Sequence, residues 1–161
     1  MPGPTYDPRR RRLLTGRSSG IAPPWADAAK LFELCSGCGA CAAACPQGIV
    51  VSDGGHPSVD FRRGECTFCG ACAGACPAPI FDTVTERPWT LVADIRDSCF
   101  AFNGIVCQSC RDSCPESAIR FELAFRSAPR PRVDAQACTG CGACAAGCPA
   151  EAIEIGEPVR V

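Results

Sequence analysis

All sixteen cysteines of this 161-residue chain fall into four groups of four, and three of the groups share one spacing. Cys35, Cys38, Cys41 and Cys45 precede Pro46; Cys66, Cys69, Cys72 and Cys76 precede Pro77; Cys138, Cys141, Cys144 and Cys148 precede Pro149. Each of these reads C-x-x-C-x-x-C-x-x-x-C-P. The third group in chain order, Cys99, Cys107, Cys110 and Cys114 before Pro115, has seven residues in its first gap instead of two. An internal repeat of this kind organises the chain before any element is assigned.

The spacing selects the chemistry. A cube of four irons and four sulfides offers four corners, and cysteines recurring every third residue let one short loop reach three of them. The fourth corner lies beyond that loop. In chains with two such clusters the remaining cysteine, the one followed by proline, crosses to the neighbouring cluster. Proline ends the turn there and has no N–H to leave unsatisfied. Zinc sites pair two C-x-x-C units across a longer loop, whereas here the third and fourth cysteines follow at once. Disulfides are poorly served by cysteines at i, i+3 and i+6. The expectation is four 4Fe-4S clusters held by all sixteen cysteines, with none left over. Gly39, Gly70 and Gly142, after the second cysteine of each regular motif, would let backbone amides approach the sulfurs and stabilise the reduced state.

Cysteine at this density in a short chain means either a disulfide scaffold or metal ligation, and the compartment separates the two. Arg9 to Arg12 with Leu13 and Leu14 resemble the start of an export signal, but Thr15-Gly16-Arg17-Ser18-Ser19-Gly20 and then Pro23-Pro24 replace the apolar stretch that such a signal needs. No run approaches the roughly 18 apolar residues of a membrane helix. The reading is cytoplasmic. Formal net charge is −1, but sixteen ligating thiolates and four cores of about +2 each would lower the total by roughly 8. Nucleic acid is therefore not an expected partner. Lys30 is the only lysine among sixteen basic residues.

Around the motifs the pattern predicts an α+β architecture: small sheets and short helices in two pseudo-symmetric halves, 22–85 and 86–161, behind a basic tail at 1–21. Ile49-Val50-Val51, Asp53-Gly54-Gly55 and Val59-Asp60-Phe61 read as a hairpin. Trp89 to Ile95, Ala118 to Leu123, Arg132 to Asp134 and Ala152 to Ile155 read as further strands. Ala42 to Ala44, Ala73 to Ala75 and Ala145 to Gly147 are expected as helical turns joining third and fourth cysteines. Asp27 to Leu34 reads as a short helix capped by the proline pair. Ile49, Ile80, Ile119 and Ile153 follow the last cysteine of each motif by four or five residues and are expected to keep water from the clusters.

The motifs resemble the bacterial two-cluster ferredoxins, and the wider sequence resembles the NapF-type ferredoxin-like proteins of periplasmic nitrate reductase systems. That second resemblance covers roughly residues 10 to 158. It rests on the arginine-rich start, Pro23-Pro24-Trp25, the Asp53-Gly54-Gly55 hairpin, Arg63-Gly64-Glu65-Cys66-Thr67-Phe68-Cys69 and, above all, the expanded motif with Val106-Cys107-Gln108-Ser109-Cys110-Arg111-Asp112. It implies a soluble cytoplasmic protein that contacts the catalytic subunit of periplasmic nitrate reductase before export and aids its iron-sulfur or redox maturation. A general electron-transfer subunit of another redox complex, quinol-linked for instance, and a cluster-bearing sensor that moves no electrons are the alternatives. No nucleophile with a base, phosphate loop or paired carboxylates can be found, so the chain is not expected to be an enzyme.

Two arrangements satisfy the exchange of fourth cysteines. Sequential pairing puts Cys76 with Cys35, Cys38 and Cys41, Cys45 with Cys66, Cys69 and Cys72, Cys148 with Cys99, Cys107 and Cys110, and Cys114 with Cys138, Cys141 and Cys144. Nested pairing joins the first motif to the fourth and the second to the third, as in the four-cluster subunits that the chain resembles more distantly. The intervening segments of 20, 22 and 23 residues do not choose between them. The strands favour sequential pairing. Among single residues, His56 reads as a solvated loop histidine, Trp25 as a partner anchor or a packing residue, and Arg111 as a charge near a cluster or an exposed helix residue.

Overall fold

The computed structural model describes residues 20–82, 88–123 and 127–158. Residues 1–19 of the basic tail, with the export-like arginines, and the expected boundary between the halves lie outside the described residues. Along the chain run α1 (Ala28–Leu34), α2 (Ala40–Ala43), β1 (Val50–Asp53), β2 (His56–Val59), α3 (Ala71–Gly74), β3 (Val92–Ile95), α4 (Ser109–Asp112), β4 (Ile119–Glu122), β5 (Arg130–Val133), α5 (Ala143–Ala146) and β6 (Ile153–Gly156). Three antiparallel two-stranded sheets form, β1 with β2, β3 with β6 and β4 with β5.

The hairpin is tighter than expected. Gly54 and Gly55 both take positive φ, at 58° and 86°, which lets Asp53 pair directly with His56 and extends both strands into the turn. In the C-terminal half β6 closes against β3, with Ile153 opposite Ile95 and Val92 opposite Gly156. The N-terminal half has no counterpart to that sheet among the described residues. Isolated bridges, Ile21 to Val59 and Ala26 to Phe81, stand in its place, and α1 follows at once. The cap of α1 is Asp27 rather than the proline pair, its side chain accepting from the N–H groups of Ala29 and Lys30. A carboxylate satisfies orphan amides, which proline cannot do.

The helical turns begin earlier than expected, before the third cysteine instead of after it. Gly39, Gly70 and Gly142 are their N-caps, with φ of 75°, 72° and 85°. The left-handed conformation available to glycine starts each turn at the residue after the second cysteine. In the expanded motif Gln108 stands at this point with φ −134°, so the chain enters α4 by a different route. One hydrophobic cluster runs through both halves, with Ile49, Val50, Val59 and Phe61 from one and Ala93, Ile119, Ile153 and Ile155 from the other.

Candidate metal centres

Four hollows, of 320 to 540 Å³, are each lined by four cysteines. The first holds Cys35, Cys38, Cys41 and Cys76. The second holds Cys45, Cys66, Cys69 and Cys72. Cys114, Cys138, Cys141 and Cys144 line the third, and Cys99, Cys107, Cys110 and Cys148 the fourth. Every fourth cysteine has crossed to its neighbour within the same half, so the grouping is sequential, and nested pairing does not describe this fold. The crossing follows from local structure. A single helical turn joins Cys41 to Cys45 and Cys72 to Cys76, too short to carry the chain back to the hollow it left. All sixteen cysteines are free of disulfides.

Each isoleucine singled out by position lines one hollow: Ile80 the first, Ile49 the second, Ile119 the third and Ile153 the fourth. All four are buried. The hollows are thus walled by cysteine sulfur and aliphatic carbon, the dry surroundings that control cluster potential.

Backbone amides reach the sulfurs in two ways. The left-handed glycines turn the next N–H toward the second cysteine. At Cys38 the Ala40 N–H, helped by the Ser36 side chain, holds the thiol below its ordinary pKa. At Cys141 burial prevails and raises the thiol in spite of the Ala143 N–H and the Thr139 side chain. The second set of donors was not anticipated from the motifs. Ala118 N donates to Cys114 Sγ at 3.3 Å and Ala152 N to Cys148 Sγ at 3.4 Å. At Cys45 burial pushes upward, but the amides of Val50, Ile49, Gln47 and Gly48 outweigh it and lower the thiol. The signal for these donors is a positive-φ residue three positions after each fourth cysteine, namely Gly48, Ser117 and Glu151. Pro79 occupies that position after Cys76, and its fixed negative φ excludes the same turn.

Burial dominates at the centre of the motifs. It pushes the thiols of Cys72 and Cys110 up to about 11 and that of Cys144 up to about 12. Without iron these groups stay neutral at pH 7, and ligation displaces their protons.

The remaining candidates resolve individually. Trp25 is buried, its ring edge-on to Phe68 at 6.4 Å, so it packs within its own fold rather than anchoring a partner. His56 is not a solvated loop residue: it opens β2, stacks on Phe32 at 5.9 Å and lines the first hollow. Arg111 pairs with Asp112 at 3.1 Å, and its guanidinium lies 6.0 Å from the centre of the Phe121 ring. It lines neither hollow of its half.

Comparison with known proteins agrees with this geometry. Two 4Fe-4S dicluster domain families match residues 34–81 and 105–152. The chain is 44% identical over 153 residues to the ferredoxin-type protein NapF of Escherichia coli K12, covering 91% of this chain and 93% of the relative. It is 46% identical over 140 residues to the ferredoxin-type protein NapF of Haemophilus influenzae, covering 86% and 80%. The chain belongs to the NapF family of ferredoxin-type proteins. As a NapF-family member with two dicluster domains it is a 4Fe-4S protein. Cys99 lies just outside the matched 105–152 segment. The fold nevertheless brings it to the hollow of Cys107, Cys110 and Cys148, and Asn103 fixes the expanded loop by donating to the carbonyls of Asp97 and Cys99 at 2.8 and 2.9 Å.

Proposed function

We propose that the protein carries four 4Fe-4S clusters on its sixteen cysteines and serves the catalytic subunit of periplasmic nitrate reductase in the cytoplasm, as electron donor or maturation factor, before that subunit is exported. The observation that carries this reading is the set of four hollows, each with four cysteines and at least one buried isoleucine, in a NapF-family chain that has the expanded third motif. Each cluster, when bound, supplies reversible one-electron chemistry. The cysteines hold it, the amides after Gly39, Gly142 and the fourth cysteines direct positive dipoles at the sulfurs, and the isoleucines exclude water. No helix among the described residues is long and apolar enough to cross a membrane.

Anaerobically purified protein is expected to contain about sixteen iron and sixteen acid-labile sulfide per chain, measured by colorimetric iron and sulfide assays. Stoichiometric zinc without sulfide would refute the cluster assignment. On cell fractionation the tagged, unprocessed chain is expected in the cytoplasm, co-purifying with catalytic subunit that still carries its export signal. Accumulation of a processed form in the periplasm would remove both the location and the role.

A further inference from the structure

We propose that the contact between Cys66 and Cys141 is an electron-exchange junction that joins the two cluster pairs into one line of four; this deepens the four-cluster reading and rests on it. Cys66 lines the second hollow and Cys141 the third. The Cys66 N–H donates to the Cys141 carbonyl at 2.8 Å, and among the described residues this is the backbone hydrogen bond that links the two halves. The through-bond route therefore runs from one ligating sulfur, through its own Cα and amide, across one hydrogen bond, and through the carbonyl and Cα of the other ligating residue. No residue intervenes.

The surroundings are built for close approach. Gly142 follows Cys141, and a Cβ there would stand 2.0 Å from the Phe61 ring. Trp89 donates from Nε1 to the Thr139 carbonyl at 2.9 Å. Its ring meets Phe61 edge-on at 6.0 Å and Phe68, between Cys66 and Cys69, at 5.8 Å. These aromatic groups pack apolar carbon beside the junction, and an apolar shell around a metal site lowers its local dielectric. Within each half the fourth-cysteine crossing already ties first hollow to second and third to fourth. The Cys66–Cys141 contact supplies the missing middle link, so the order is first, second, third, fourth. In each exchange one cluster loses an electron as its neighbour gains it, with no bond broken and no proton moved. Dithionite is the reductant that supplies the electron in the test.

The test removes the outer clusters from the full-length chain by C35A and C38A together with C99A and C107A. Iron is expected to fall to about half the wild-type content. Electron paramagnetic resonance of the dithionite-reduced variant is expected to show a spectrum split by coupling between the two inner clusters, one in each half. Two unsplit, independent signals at that iron content would overturn the junction. Where the variant loses more iron than this, the fully reduced wild-type protein decides: pulsed dipolar measurement is expected to give a connected network of four spins, and two isolated pairs would overturn the proposal. Wild-type iron at half the expected content would instead refute the four-cluster reading, a failure visible before any spectrum is recorded.

Discussion

Oxidative removal of the iron with ferricyanide and a chelator is expected to unfold the protein almost completely. The reason lies in how little structure stands without the hollows. Among the described residues every sheet has two strands of four residues, and α2 to α5 are four residues each. Isolated two-stranded sheets are marginal in water, and helices this short do not survive on propensity. Ile49, Ile119 and Ile153 belong to the hydrophobic cluster that the halves share, but they and Ile80 also form walls of the hollows, so that core is incomplete without what fills them. The magnitudes point the same way. Structural zinc contributes about 10–16 kcal/mol to small metal-dependent domains, while net folding stability is about 5–15 kcal/mol. If each of the four clusters contributes on the zinc scale, the loss of all four exceeds the whole margin. Circular dichroism and amide hydrogen exchange before and after stripping measure it. A cooperative unfolding transition and protected amides in β3 and β6 of the stripped protein would contradict the expectation.

Much of the site was legible because its information is local. Motif spacing places three cysteines on each hollow, and a proline after the fourth forces the turn that sends it across. The isoleucines were found by the same arithmetic, since a distance of four or five residues from the last cysteine puts each on the wall of the hollow which that cysteine enters. The arrangement of the halves was not legible. Phe61 meets Gly142, and Cys66 meets Cys141, across about half the chain with no pattern to announce either contact. The early start of the helical turns was missed for a simpler reason. Glycine after the second cysteine was read as room for an amide, when its left-handed backbone also opens the helix two residues sooner. Among the described residues the first half lacks a counterpart to the β3–β6 sheet, and Pro23 and Pro24 stand in the segment before the first motif. Prolines cannot donate to a ladder, and that segment makes bridges at Ile21 and Ala26 and then turns into α1.

At Gly142 a single methyl group is expected to do more harm than at Gly39. Two costs combine at Gly142 and can be separated by comparison with Gly39. Both residues hold left-handed φ, at 85° and 75°, a conformation costing an alanine about 1–2 kcal/mol. A Cβ at Gly39 would meet nothing within 4 Å, so G39A isolates that strain. A Cβ at Gly142 would stand 2.0, 2.6 and 2.7 Å from three carbons of the Phe61 ring. That ring cannot simply swing away, because it is buried and held edge-on by Trp89. Overpacking of this kind adds about 1–3 kcal/mol, giving about 2–5 kcal/mol for G142A. The measurement is the temperature at which visible cluster absorbance is lost on anaerobic heating, which is expected to fall further for G142A than for G39A. Adding F61L to G142A removes the ring and is expected to recover the packing part while leaving the backbone strain. Equal losses for the two glycine variants, or no recovery with F61L, would show that Phe61 does not press on this turn and that the halves are held together elsewhere.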